Sequence, residues 1–250
     1  MLRSFRLPLL STLLFLAIWS GLAFLLQSRY LPAPFEVAKT FITELASGAL
    51  LFHLSVTFLR VIAAFIIALI FGTAIGLLLG RSSKANQFFD PWLIFALNLP
   101  ALVVIVFCYL WFGLTEVAAI IAVALNKIPN TAITMREGRR ALDPLLEDVA
   151  FIYHYTGWRK FTEFTLPQLE PYLAASIRNG LALIWKIVLV VELLGRSNGV
   201  GFQINLFFSQ FDLTRILVYA LSFMAVVGVI EGVVIKPWER RARAWRGEAS

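Results

Sequence analysis

Charge is scarce in this chain. Asp, Glu, Lys and Arg make up 15% of its 250 residues, where soluble domains carry about 25%. A globule kept in water by a charged coat is excluded. There is one cysteine, Cys108, so no intramolecular disulfide forms. It lies in an apolar run and reads as packing. The two histidines, His53 and His154, are far apart and make no metal-ligand pattern with one cysteine. No nucleotide loop is present. GLLLGRSSK at 76–84 has glycines but lacks the Gly-Lys-Ser/Thr ending, and it comes after an apolar run instead of a strand. No internal repeat, low-complexity linker or barrel-type alternation is visible.

What the chain has is apolar length. Hydrophobic residues make up 60% and the mean hydropathy is +0.81. Crossing a bilayer takes about 20 mostly apolar residues. Six runs qualify, roughly 7–27, 52–80, 91–112, 116–135, 171–194 and 215–236. Backbone in lipid must satisfy its own hydrogen bonds, so the fold class is all-α with about six transmembrane helices. The first run comes after Arg3 and Arg6 as in a signal peptide, but it is long and has no A-x-A site after it, so it reads as a retained span.

The net charge of +7 fits membrane orientation better than nucleic acid. Of the 22 Lys and Arg, fourteen fall in the N-terminus, the 81–84 turn, the 136–168 loop and the C-terminal tail. Four fall in the alternate segments and four within the runs, namely Arg60, Lys127, Arg178 and Lys186. That bias puts both termini and the 136–168 loop in the cytoplasm. Segment 31–48 opens with Leu-Pro-Ala-Pro and then repeats apolar residues at helical spacing, an amphipathic helix on the outer face. Segment 196–213 is glycine-rich at its start and reads as a re-entrant or interfacial turn. The tail 237–250 is basic with two Trp and reads as an interface anchor to membrane lipid.

The 136–168 loop is densely charged and aromatic. Pro144 suits the first turn of a helix after Asp143, with Glu147 and Asp148 in its N-terminal turns. Gly157 suits the end of that helix, and Pro167 the end of a second one. Two short helices broken near Gly157 are expected, either as a docking surface for a protein partner or as a cap on the bundle itself.

Charges within spans are costly unless paired or wet. Arg178, Lys186 and Glu192 lie on the fifth run. Lys186 cannot easily reach Glu192, so each needs another partner or a wet cavity. Lys186 reads either as a contact for an anionic solute or as half of an ion pair. Glu192 reads either as a pathway residue or as a hydrogen-bonded tie to the adjoining loop. Arg178 sits near the cytoplasmic end, and Arg60 is placed to pair with a neighbour. Pro100 beside Asn98, and Pro129 beside Asn126 and Asn130, mark kinks that line or gate a path. Gly72, Gly76 and Gly80 form a ladder suited to close helix packing.

The segment Asp148–Pro167, DVAFIYHYTGWRKFTEFTLP, resembles the EAA loop of binding-protein-dependent ABC importer permeases. Asp148, Val149 and Ala150 hold the Glu-Ala-Ala places, His154 the Gly place, Phe164 the Ile place, and Leu166-Pro167 close the motif. RNGLALIWKIVLVVELLGRSNGVGF (178–202) and KPWERRARAWR (236–246) are similar to the alkanesulfonate, taurine and nitrate branch. The resemblance implies one type I permease domain over 1–250, without catalytic activity or cofactor of its own. ATP and Mg²⁺ would be bound by two ATPase subunits docking on Glu147, Asp148, Val149, Ala150, His154, Gly157, Leu166 and Pro167. It implies a second permease copy as homodimer partner, a periplasmic or lipid-anchored solute-binding protein, and a bacterial inner-membrane location. It also implies a small, often anionic solute, with Lys186, Glu192, Arg178, Asn98 and Pro100 as pathway candidates. His154 departs from the pattern because its side chain resists a left-handed backbone. Gly157 is therefore expected to take over the turn. A secondary transporter or an intramembrane enzyme are the alternatives, but neither an inverted repeat nor paired in-span carboxylates are visible.

Overall fold

The computed structural model describes residues 2–26, 30–235 and 237. All regular structure in them is helical. The helices are α1 (Leu2–Leu26), α2 (Pro34–Ala46), α3 (Ala49–Arg81), α4 (Ser83–Asn98), α5 (Ala101–Phe112), α6 (Glu116–Arg140), α7 (Pro144–Ile152), α8 (Gly157–Lys160), α9 (Leu166–Gly195), α10 (Val200–Ser209) and α11 (Leu213–Ile230). The side chains of Arg3, Arg6 and Lys236, and the basic tail beyond Pro237, lie outside the described residues.

Four described helices are long and apolar enough to cross a membrane: α1, α3, α6 and α11 with its extension. The α4–α5 pair makes a fifth if counted as one span. α9, at 30 residues, has the length for another and carries Arg178, Lys186 and Glu192. The 91–112 run was expected to be one kinked helix, but it is two helices meeting at 95°. The cause is local. Leu99 precedes Pro100 and is extended (φ −65°, ψ 127°), because the proline ring disfavours helical backbone in the residue before it. Asn98 then donates its side-chain amide to the Ile94 carbonyl at 2.8 Å.

α3 and α6 run side by side in the same direction, and α9 packs against both in the opposite sense. The glycine ladder explains the first contact. A Cβ on Gly72, Gly76 or Gly80 would lie 2.6 Å from Thr131, 2.4 Å from the Ala132 carbonyl oxygen or 2.6 Å from Arg139. Opposite them, α6 brings Ala118, Ala119 and Ala122 into the core, where they meet Val61 and Ala64 of α3. Small residues let the backbones approach, and packing does the work that water exclusion does in a soluble core.

α2 begins as its sequence dictates. Pro34 stands in the first turn, and the Glu36 carboxylate accepts the Ala33 N–H at 3.2 Å. Its Glu44 accepts from Tyr219 Oη of α11 at 3.0 Å and pairs with Arg215 at 3.0 Å. α1 joins the rest chiefly through Trp19, whose indole donates to the Pro32 carbonyl at 3.1 Å. The 196–213 segment is not just a turn. It contains the ten-residue helix α10.

Gly76→Ala should cost about 1–3 kcal/mol of stability, because its methyl group would meet a backbone oxygen that cannot rotate away. The check is the unfolding midpoint in detergent against Gly21→Ala, where a Cβ meets nothing within 4 Å.

Candidate functional site

Two regions at opposite ends of α9 concentrate the chemistry. At its N-terminal end, α7 starts with the Asp143 side chain accepting the Leu145 N–H at 2.9 Å and Pro144 in the first turn. Its end is a Schellman motif: the Tyr155 N–H reaches the Ala150 carbonyl at 2.8 Å, and the His154 N–H reaches that of Phe151 at 3.0 Å. The left-handed residue this motif needs is His154 itself, at φ +56°. The expected transfer of the turn to Gly157 does not occur. Gly157 is also left-handed (φ +51°), but it serves the start of α8. The histidine tolerates the conformation because two backbone hydrogen bonds close around it.

Pro167 does not end a helix either. Helix continues from Gly157 into α9 through a π-turn at Phe161–Thr165. The wider turn accommodates a proline that has no N–H to give and whose ring crowds the preceding turn.

The loop residues divide by exposure. Asp148, Val149, His154, Gly157 and Leu166 are exposed, and Pro167 is half-buried. Ala150 is 0% exposed and packs under α7, so it belongs to the fold of the loop and not to its surface. Glu147 accepts from Arg139 at 2.7 Å, which holds its carboxyl below the usual range. Leu145, Phe151, Ile152, Tyr153 and Trp158 of the same loop are also exposed.

At the other end lies a buried ionic cluster. Arg60 of α3 is 4% exposed and Glu192 of α9 is 0% exposed. Arg60 Nη1 donates to Glu192 at 2.6 Å and to the Asn198 carbonyl at 2.9 Å. Its Nε and Nη2 grip Glu116 of α6 at 2.8 and 2.6 Å. Arg196 joins Glu116 from the other side at 2.5 Å and donates to the Leu114 carbonyl. Glu192 also accepts from Thr57 at 2.9 Å and from the Gly201 N–H at 2.8 Å. Two cations thus balance two carboxylates, and each buried oxygen has a donor. Glu192 is hydrogen-bonded to the adjoining loop through the Gly201 N–H. Glu116, Arg196, Thr57 and His53 were not singled out by sequence. They sit at helix ends or among apolar residues, where polarity alone carries no pairing signal.

The other candidates are not brought together. Lys186, Arg178, Asn98 and Pro100 do not share one site: Lys186 lies on the outward side of α9, and Asn98 and Pro100 lie at the α4–α5 bend. Lys127 of α6 is 1% exposed, donates to Asn130 at 2.7 Å and packs over Gly180 of α9.

A family model described as binding-protein-dependent transport system inner membrane component matches residues 68–236. The chain belongs to this family. The putative aliphatic sulfonates transport permease protein SsuC of Bacillus subtilis (strain 168) is 30% identical over 92% of this chain and 84% of its own. SsuC of Escherichia coli (strain K12) is 30% identical over 88% and 83%. The taurine transport system permease protein TauC of the same strain is 22% identical over 93% and 87%. The chain is thus the translocation subunit of an ABC importer, a multi-pass membrane permease that works in an assembly with other subunits. The matched residues hold the α7 loop, all of α9 and most of the ionic cluster. Arg60 and Thr57 stand on the part of α3 before it.

Glu192→Leu should cost the permease about 3–5 kcal/mol, since it strips a buried arginine of one carboxylate and orphans the Gly201 amide. The fall in unfolding midpoint measures it, and Glu192→Gln should recover part of the loss. His154→Gly should instead stabilise the loop by about 1 kcal/mol, because it relieves a left-handed side chain. Slower proteolysis of the 152–158 segment would report that.

Proposed function

We propose that this permease imports a small organic anion of the sulfonate class, such as an alkanesulfonate or taurine, driven by ATP hydrolysed in separate subunits. The single observation that carries the coupling part is α7. It is a nine-residue helix with the EAA spacing, held out at the foot of α9 with Asp148 and a set of large apolar side chains exposed. A short helix of this kind suits a groove on a partner, with the apolar residues as anchors and the acid as a rim contact. The solute class rests on the names of the relatives and on the cationic groups of α9.

In this reading the α7 end is cytoplasmic, in keeping with the Lys/Arg bias, and both termini lie on that side of a bacterial inner membrane. Two ATPase subunits bind ATP and Mg²⁺ and dock on α7 and the 153–157 turn. The chain itself is one permease domain and catalyses no reaction. A second copy faces the exposed stripe of α9, so that Lys186 and Arg178 line a shared path. There an ammonium is tolerated because it is wet, and it favours an anion. A periplasmic or lipid-anchored binding protein delivers the solute at the α10 end. No nucleic acid takes part.

Asp148→Arg tests the reading, because the residue is exposed and its change leaves the bundle untouched. The variant should keep the wild-type unfolding midpoint but lose ATPase co-purification and solute-stimulated hydrolysis in liposomes by about tenfold, or about 1.4 kcal/mol. Undiminished association and stimulation would sink the assignment of α7.

A further inference from the structure

His53 stands near the start of α3, half-buried against α10 and α11. Both of its ring nitrogens are engaged. The Gly199 N–H donates to Nδ1 at 3.0 Å. A ring nitrogen accepts only when it carries no proton, so the proton sits on Nε2. Nε2 lies 2.6 Å from the Gln203 amide. With its Oε1 turned toward the ring, that amide accepts Nε2–H, and an oxygen otherwise buried without a partner is satisfied. His53 is therefore held neutral, in one tautomer, by a backbone donor on one side and an amide acceptor on the other.

The turn it holds is the one that closes over the ionic cluster. Three successive amides of that turn go to three side chains: Gly199 to His53, Val200 to Thr57 at 2.8 Å, and Gly201 to Glu192 at 2.8 Å. Gly199 has φ +106°, and a Cβ there would lie 2.3 Å from the Glu192 carboxyl carbon. The turn thus lies directly on the buried carboxylate, while Asn198 receives Arg60.

We propose that His53 is a proton-operated latch on the 198–201 turn. Neutral, it pins the turn to α3. Protonated, it sets a ring N–H against the Gly199 N–H, donor facing donor, and releases it. The groups facing the ring from each packed element are Glu44 of α2, Arg60 of α3 itself, Tyr219 of α11, Gln203 of α10 and, across the turn, Glu192 of α9. Glu44 is already engaged by Tyr219 and Arg215, so it offers the new charge limited compensation. On the cluster side, imidazolium would add a third cation to Arg60 and Arg196. The latch stands on this geometry and does not depend on which solute is carried.

Hydrogen exchange of the full-length chain in lipid nanodiscs tests it, read on the peptide covering residues 197–204 and corrected for intrinsic rates. Between about pH 7.5 and about pH 5.5, a range that spans an ordinary imidazole titration, protection of this turn should fall by about tenfold in the wild type. In His53→Asn, the side-chain oxygen takes the place of Nδ1 and does not titrate, so protection should persist at both pH values. Equal wild-type protection at both, or a pH effect that survives in His53→Asn, overturns the latch. Imidazole nitrogen shifts give an independent reading, because the chain has two histidines and His154→Gly leaves the His53 signal alone. A proton found on Nδ1 at neutral pH overturns the proposal whatever the fate of the Asn variant.

Discussion

The guanidinium of Arg60 ties three separate parts of this molecule to α3. It reaches Glu192 on α9, Glu116 at the start of α6 and Asn198 in the turn before α10, all from a side chain on α3 that is almost wholly buried. Removing the Arg60–Glu192 pair from water costs several kcal/mol for each ion unless every lone pair and proton is met. For Arg60 and Glu192 they are met, by Thr57, Gly201, Asn198, Glu116 and a planar fork that suits carboxylates. The cluster adds position more than stability. Apolar contacts among Ala, Val and Ile faces would tolerate sliding, whereas a bidentate pair fixes the depth of one helix against the next.

Much of the fold was legible because lipid imposes long apolar runs that composition displays directly. The boundaries of α2, α3 and α6 come from Pro34, from the unbroken run after Gly48 and from Thr115 as a cap that accepts the Ala118 N–H. The glycine ladder on α3 also meant what its spacing implied. The 95° bend was missed because Leu99-Pro100 sits within a stretch apolar on both sides. Hydropathy does not register the extended backbone that the proline demands. The charge partners were missed for a different reason. Arg60 lies 56 residues from Glu116 and 132 from Glu192 along the chain, and period and spacing say nothing about contacts made across helices.

The α7 loop shows both kinds of limit. Its helix, its N-cap and its acidic first turn could be read from Asp143, Pro144 and Glu147. Which of its residues face outward could not, since Asp148 and Ala150 are two places apart in one motif yet one is exposed and the other sealed. The substitution at 154 was misjudged because intrinsic preference disfavours a left-handed histidine by only about 1–3 kcal/mol, and two closing hydrogen bonds offset that.

α9 joins these two regions as a single shaft. Thirty residues make a rod about 45 Å long, with a π-turn, Pro167 and Pro171 at its foot and an uninterrupted helix above them. Tilting such a rod by about five degrees about its foot sweeps its head through about 4 Å. That sweep exceeds the length of any hydrogen bond that Glu192 makes. The buried carboxylate is therefore mounted at the long end of a lever. A small rotation at the foot of α9 is thus a large displacement where Glu192 meets Arg60.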